Sequence, residues 1–233
     1  MEASPDNNPY SAPVATVTPR HVLPPLAQRA RAARSLLLLN VPFTAVQIAI
    51  RILWLAGVTD FGQVGSASVG GLAWRTFNGS STMLGLATPL AFLLWFHAAY
   101  VRAHSGVPLA RFTAGFSVVS WFIPVANFIV PLLATRHLWQ LSRGGADWRR
   151  EKAPSYIVEW WCVWMLSHFV VLAAVVSQAV VHWPDFGGLA GLTGPSFIVA
   201  ILLSSVFSLC ALPLVLRLVR EITALQRERL GVD

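Results

Sequence analysis

The stretch FTAGFSVVSWFIPVANFIVPLLA, Phe112 to Ala134, decides the fold. It is apolar and matches the roughly 20 residues that carry a helix across a ~30 Å hydrocarbon core. Pro124 and Pro131 nevertheless sit inside it. Each proline removes a backbone donor and clashes with the preceding turn. Asn127 lies between them, with an amide able to answer backbone groups that a break sets free. Two architectures follow. One is a helix–break–helix hairpin around residues 123–127 that enters and leaves on one side; the other is a proline-kinked ordinary span. Irregular backbone at membrane depth must be buried in protein or line a cavity, so the hairpin needs partner helices.

Those partners flank it. Residues 36–58, 83–101, 156–181 and 195–216 are further apolar runs, each long enough to span. The chain has 233 residues, 55% hydrophobic and only 12% charged, with a mean hydropathy of +0.61. Soluble domains carry about 25% charged residues, which disfavours a cytosolic enzyme or a secreted scaffold. The expected fold is an all-α membrane protein: a bundle of four transmembrane helices plus a Pro-broken re-entrant or kinked fifth segment. Residues 1–25 hold six prolines among small and polar residues and read as a disordered cytoplasmic tail. Residues 26–220 form the membrane domain, beginning with a short basic surface helix over 26–35. Residues 59–82 read as a Gly- and Ser-rich connection, and 221–233 as a short charged cytoplasmic tail.

The charges favour the hairpin. Five full crossings divide the 17 basic residues between both faces. If the third segment turns back, every one of them except Arg51 and Arg75 falls on a single side. The positive-inside rule then places both termini in the cytoplasm. Arginine dominates and Lys152 is the lone lysine; with abundant alanine, this suggests a GC-rich bacterial genome and the inner membrane. The net charge of +7 flanks apolar segments, so bilayer headgroups explain it better than nucleic acid. Cys162 and Cys210 lie inside apolar runs and indicate no disulfide framework.

Arg51 and His168 are the candidate polar groups inside the membrane. Arg51 reads as snorkelling outward beside Trp54, and His168 as a hydrogen-bonded packing histidine that looks buried. A His97–His168 haem pair is disfavoured by depth, about 6 Å against about 16 Å from the helix ends. Glu159 reads as a helix-start charge. Trp121, Trp139, Trp148, Trp160, Trp161, Trp164 and Trp183 are expected largely at the membrane interfaces. The small residues Ala200, Ser204 and Ser208 recur every fourth position, a packing stripe that also offers self-association. No catalytic, phosphate-binding or metal-binding motif is found, so neither a cofactor nor a metal is expected.

The runs FLLWFHAAYVRA (92–103), WFIPVANFIVP (121–131) and WWCVWMLSHF (160–169), with Trp139, resemble domain-of-unknown-function family 4328, a group of bacterial multi-pass membrane proteins. The matching positions are Trp95, Tyr100, Trp121, Pro124, Asn127, Pro131, Trp160 and Trp161. The resemblance implies location and architecture, with these residues as structural markers of the hairpin; it supplies no reaction. Ala98 and Val101 depart from the family's more polar second-helix pattern.

The leading expectation is a non-enzymatic integral membrane protein. Its basic face, built from Arg143, Trp148, Arg149, Arg150 and Lys152, engages anionic lipid or another membrane protein. The alternative is a small channel or transporter subunit lined by Asn127, Arg51 and His168. An intramembrane enzyme using His168 or Glu159 has no motif behind it.

Overall fold

The computed structural model describes residues 25–57, 69–104, 107, 111–181 and 195–230, and among them every regular element is helical. The helices are α1 (Leu26–Leu55), α2 (Val69–Ala103), α3 (Ala114–Val119), α4 (Val130–Gly144), α5 (Tyr156–Val181) and α6 (Pro195–Leu230), with 3-10 turns at Ala126–Phe128 and Gly145–Arg150. Four of them, α1, α2, α5 and α6, are long and apolar enough to cross a membrane. This is an all-α membrane protein.

Three boundaries differ from the sequence reading. The basic segment 26–35 is continuous with the first span, because Leu26, Ala30 and Ala33 recur at helical spacing and bury one face. Helix α2 begins at Val69, inside the expected connection. The supposed tail from residue 221 is helix as far as Leu230, with Ile222 and Gln226 buried. Its charges masked an inward face. Residues 1–24 lie outside the described residues, as does Trp183.

The third segment is a hairpin. Thr113 caps α3, its hydroxyl accepting from the Phe116 N–H at 3.2 Å. Helix α3 stops at Val119, and short turn bonds follow, including Phe122 N–H to Val119 O at 3.0 Å and Asn127 N–H to Ile123 O at 2.8 Å. Pro131 then opens α4, where its missing donor costs nothing. The two flanks meet: the Arg111 N–H points to His137 Nε2 at 3.4 Å, and the Phe112 and His137 rings lie 5.8 Å apart. A straight span over residues 112–134 would separate its ends by roughly 33 Å. The kinked-span reading is therefore set aside.

The turn meets α5 well along its length. Phe128 stacks on Phe169 at 5.7 Å, and the Trp161 indole N–H donates to Phe128 O at 3.2 Å. Phe169 stands about 20 Å along α5 from its start. Helix α5 packs on α6, α6 on α1, and α1 on α2, which leaves the hairpin between α2 and α5. Trp121 is its wedge. Its ring meets Phe92 at 5.7 Å and Phe96 at 6.2 Å on α2, then Trp161 at 5.7 Å and Trp164 at 5.6 Å on α5. In this cluster Trp160 and Trp161 are buried and Trp121 and Trp164 half-buried.

Truncating the wedge tests this arrangement. Trp121→Ala is expected to lower stability by about 3 kcal/mol, at the low end for large aromatic deletions because the ring is only half-buried. Val125→Ala, at an exposed position of the same turn, should change it by less than about 0.5 kcal/mol. Thermal unfolding in detergent micelles reads both.

Candidate functional site

One end of the bundle gathers most of the polar side chains. The start of α1, the end of α2, both hairpin flanks, the start of α5 and the end of α6 come together there. Glu221 on α6 accepts from the Trp139 indole N–H at 2.9 Å and from the Tyr156 hydroxyl at 3.0 Å, tying α4 and α5 to α6. Arg217 lies 3.5 Å from the same carboxylate and stacks over Tyr156 at 4.3 Å. One turn further, Gln226 donates to Ala99 O at 2.9 Å and to Ser142 Oγ at 2.8 Å. Arg229 closes the end by donating to the carbonyls of Leu141 and Ala103.

The hairpin flanks are held by a second network. The Tyr100 hydroxyl donates to Ala134 O at 2.8 Å, so its oxygen is left to accept from His137 Nδ1 at 3.2 Å. That bond puts the hydrogen on Nδ1, and His137 Nε2 accepts from Arg111 N–H at 3.4 Å. A neutral ring satisfies all three bonds. Burial, followed by the nearby His104 and Arg111, pushes the His137 pKa down to about 4. His104 itself bridges Tyr100 O at 2.8 Å and Phe112 O at 2.7 Å. None of His137, Glu221, Gln226 or Arg229 stood out in the sequence. Only a helical inward phase over residues 219–229 could have flagged the last three.

The basic cluster follows directly. Gly145, at φ +54°, turns the chain out of α4 into the 3-10 turn. Arg149, Arg150 and Lys152 are exposed, and Arg149 stacks over Trp148 at 5.4 Å. Trp148 is half-buried, edge-on to His137 at 4.6 Å. Arg143 pairs with Glu151 at 2.9 Å and lies over Trp139 at 5.5 Å.

The family-like positions divide. Trp95 and Tyr100 are fully buried, Trp160, Trp161 and Pro131 are buried, and Pro124 is exposed in the turn. The Asn127 side-chain oxygen is sealed without a hydrogen-bond partner. Its expected service to freed backbone groups is not what the side chain does; turn bonds between main-chain groups supply it.

A cavity of about 460 Å³ lies among α1, α2, α5, α6 and Trp121. His168 lines it and is exposed rather than buried. The packing bond expected of it is present, with Nδ1 at 2.8 Å from Trp164 O. Arg51 lies elsewhere, donating to Gln47 Oε1 at 3.2 Å, and Asn127 does not reach the cavity wall. Glu159 is exposed in the first turn of α5. Ala200 is buried within the bundle, and Ser208 faces the cavity. Cys162 and Cys210 are free thiols. Among the described residues, no group of three His, Cys, Asp or Glu side chains could hold a metal ion.

A four-span helical bundle with an aromatic-wedged hairpin defines a multi-pass membrane protein. A family model, Domain of unknown function (DUF4328), matches residues 64–224, and the chain belongs to that family. No curated protein and no solved structure matches it.

Acid tests the hairpin junction. An ordinary histidine, as in the unfolded chain, takes up a proton as pH falls through about 6.5, whereas His137 in the fold resists until about 4. The unfolded state then binds more protons, so stability declines across that window and is unaffected above it. Protonating Nε2 also destroys its bond to Arg111. Melting temperature between pH 7 and pH 4 should fall more steeply in the natural chain than in His137→Phe.

Proposed function

We propose that this chain is a non-enzymatic protein of a bacterial inner membrane, with both termini in the cytoplasm and a basic cytoplasmic face that binds anionic lipid headgroups. The observation that carries the reading is the exposed trio Arg149, Arg150 and Lys152, presented beside the half-buried Trp148 at the polar end of the bundle. A pinned indole suits the headgroup layer, and guanidinium forks suit phosphate oxygens. Arg31 and Arg34 on α1 and Arg220 on α6 extend the same charge around that end. Transport through the hairpin has less support, because Arg51 and Asn127 share no cavity with His168. A protein partner at the basic face is the competing outcome of the lipid test.

Each basic residue near an anionic surface contributes about 1 kcal/mol. The double variant Arg149→Gln, Arg150→Gln should therefore bind phosphatidylglycerol about 30-fold more weakly at low salt. Titration of the purified chain with phosphatidylglycerol and phosphatidylcholine, read by native mass spectrometry, measures this. Equal retention of both lipids by the natural chain and the variant would reduce the charges to a topological role.

Orientation has its own check. With Cys162 and Cys210 replaced by alanine, a cysteine at position 188, between α5 and α6, should label from outside intact cells. One at Asp147 should label only after the membrane is opened. The reverse pattern would invert the proposed topology.

A further inference from the structure

We propose that the cavity among the four spans is a binding site for a neutral, lipid-soluble alcohol: an apolar body carrying a hydroxyl group. The proposal is independent of the basic face. A cavity of about 460 Å³ is within the size range of small-molecule sites. Its lining contains no Asp, Glu, Lys or Arg, which excludes a charged ligand that would need pairing at membrane depth. Phe92, Trp121, Trp160 and Trp164 supply aromatic surface.

The polar groups in the wall fall into two sets. Asn40 donates to Thr88 Oγ1 and to Leu36 O at 2.9 Å, and Thr88 donates to Leu84 O at 2.8 Å, so the donors of this pair are used and only the Asn40 side-chain oxygen stays open. Three further groups from three helices are left over. His168 on α5 has Nδ1 committed to Trp164 O, which assigns the hydrogen to Nδ1 and makes Nε2 an acceptor. The hydroxyls of Thr44 on α1 and Ser208 on α6 line the same wall and have no hydrogen bond to any described residue. Counted from the Tyr156–Glu221 bond, His168 and Ser208 stand about 18 Å and about 20 Å up their helices. They form one polar layer at mid-depth.

An acceptor and free hydroxyls in one wall are the complement of a hydroxyl group. Such a ligand donates to His168 Nε2 and accepts from Ser208 or Thr44. A ketone or ether accepts from the hydroxyls but leaves the imidazole lone pair unanswered, and a hydrocarbon answers neither. In a hydrocarbon setting an unmet polar group is costly, so the cavity discriminates by hydrogen bonding as well as by shape.

The test uses the full chain in phosphatidylcholine nanodiscs with tritiated farnesol, an isoprenoid alcohol, against empty nanodiscs. Saturable binding is expected, with farnesyl methyl ether competing about fivefold more weakly for loss of one donated bond. His168→Phe keeps a ring and removes the acceptor, and should weaken farnesol by a similar factor. Gly85→Leu is the plug: Gly85 lines the cavity, and a Cβ there meets nothing within 4 Å. That variant should fold and lose binding. Displacement by dioctanoylglycerol would support the same hydroxyl chemistry with a glyceride as its source, and failure to displace would support an isoprenoid source. The proposal is overturned by absence of saturable binding, by equal competition from the ether, or by undiminished binding in both His168→Phe and Gly85→Leu.

Discussion

Backbone amides and carbonyls released by a broken helix have no water to turn to inside a bilayer, and this fold is organised around meeting that demand. Pro124 and Pro131 make an unbroken helix untenable. The main chain between them therefore bonds to itself in short turns, Trp161 donates to Phe128 O, and Tyr100, donating to Ala134 O within α4, fastens the returning flank. Those donors come from α5 and α2, the two spans that the hairpin separates. The break is thus tied to both helices, and the aromatic surface around Trp121 supplies the apolar part of the same contact.

The polar end of the bundle follows a related logic. Long side chains from the last turns of α6 reach carbonyls in the closing turns of α2 and α4, adding to main-chain bonds such as Gly145 N–H to Leu141 O. Gln226 takes Ala99 O and Arg229 takes Ala103 O and Leu141 O. Helix α6 is consequently far longer than a bilayer needs, and its last turns act as a lid over the hairpin flanks. Compensation is incomplete, since Arg102 Nε and the Gln226 side-chain oxygen are buried without partners. Each unmet group costs about 1–3 kcal/mol, which the dense packing around Leu218, Val219 and Ile222 has to offset.

Much of this was legible in the sequence because bilayer physics is coarse. Span length, proline position and one-sided arginine placement are local properties, and together they imply a segment that turns back. What escaped the reading depends on register between distant helices. Residues 221–230 look like a solvated charged tail, and only the position of α2 and α4 reveals that Gln226 and Arg229 have carbonyls to reach. His137 looks like one more polar residue on an amphipathic helix until Tyr100 and Arg111 are placed around it. The tryptophans carry a role that position along a helix does not reveal: Trp121, Trp160 and Trp161 pack against one another.

The cavity is a geometric consequence of that same problem. A hairpin that turns at mid-depth fills the space between α2 and α5 only as far as its turn, and the four spans continue beyond it. Trp121 bounds the space on one side, and Asn40, Thr88, His168 and Ser208 of the spans line it. Beside Leu37, Leu209, Leu212 and Val215, the wall has Thr44 on α1, Gly85 on α2 and Ser208 on α6. Small and hydroxylated residues preserve the volume, while an imidazole fixed by Trp164 O keeps one acceptor in a set direction. Packing alone gives no reason for an open space furnished with oriented polar atoms, and occupancy by a molecule of matching polarity gives one.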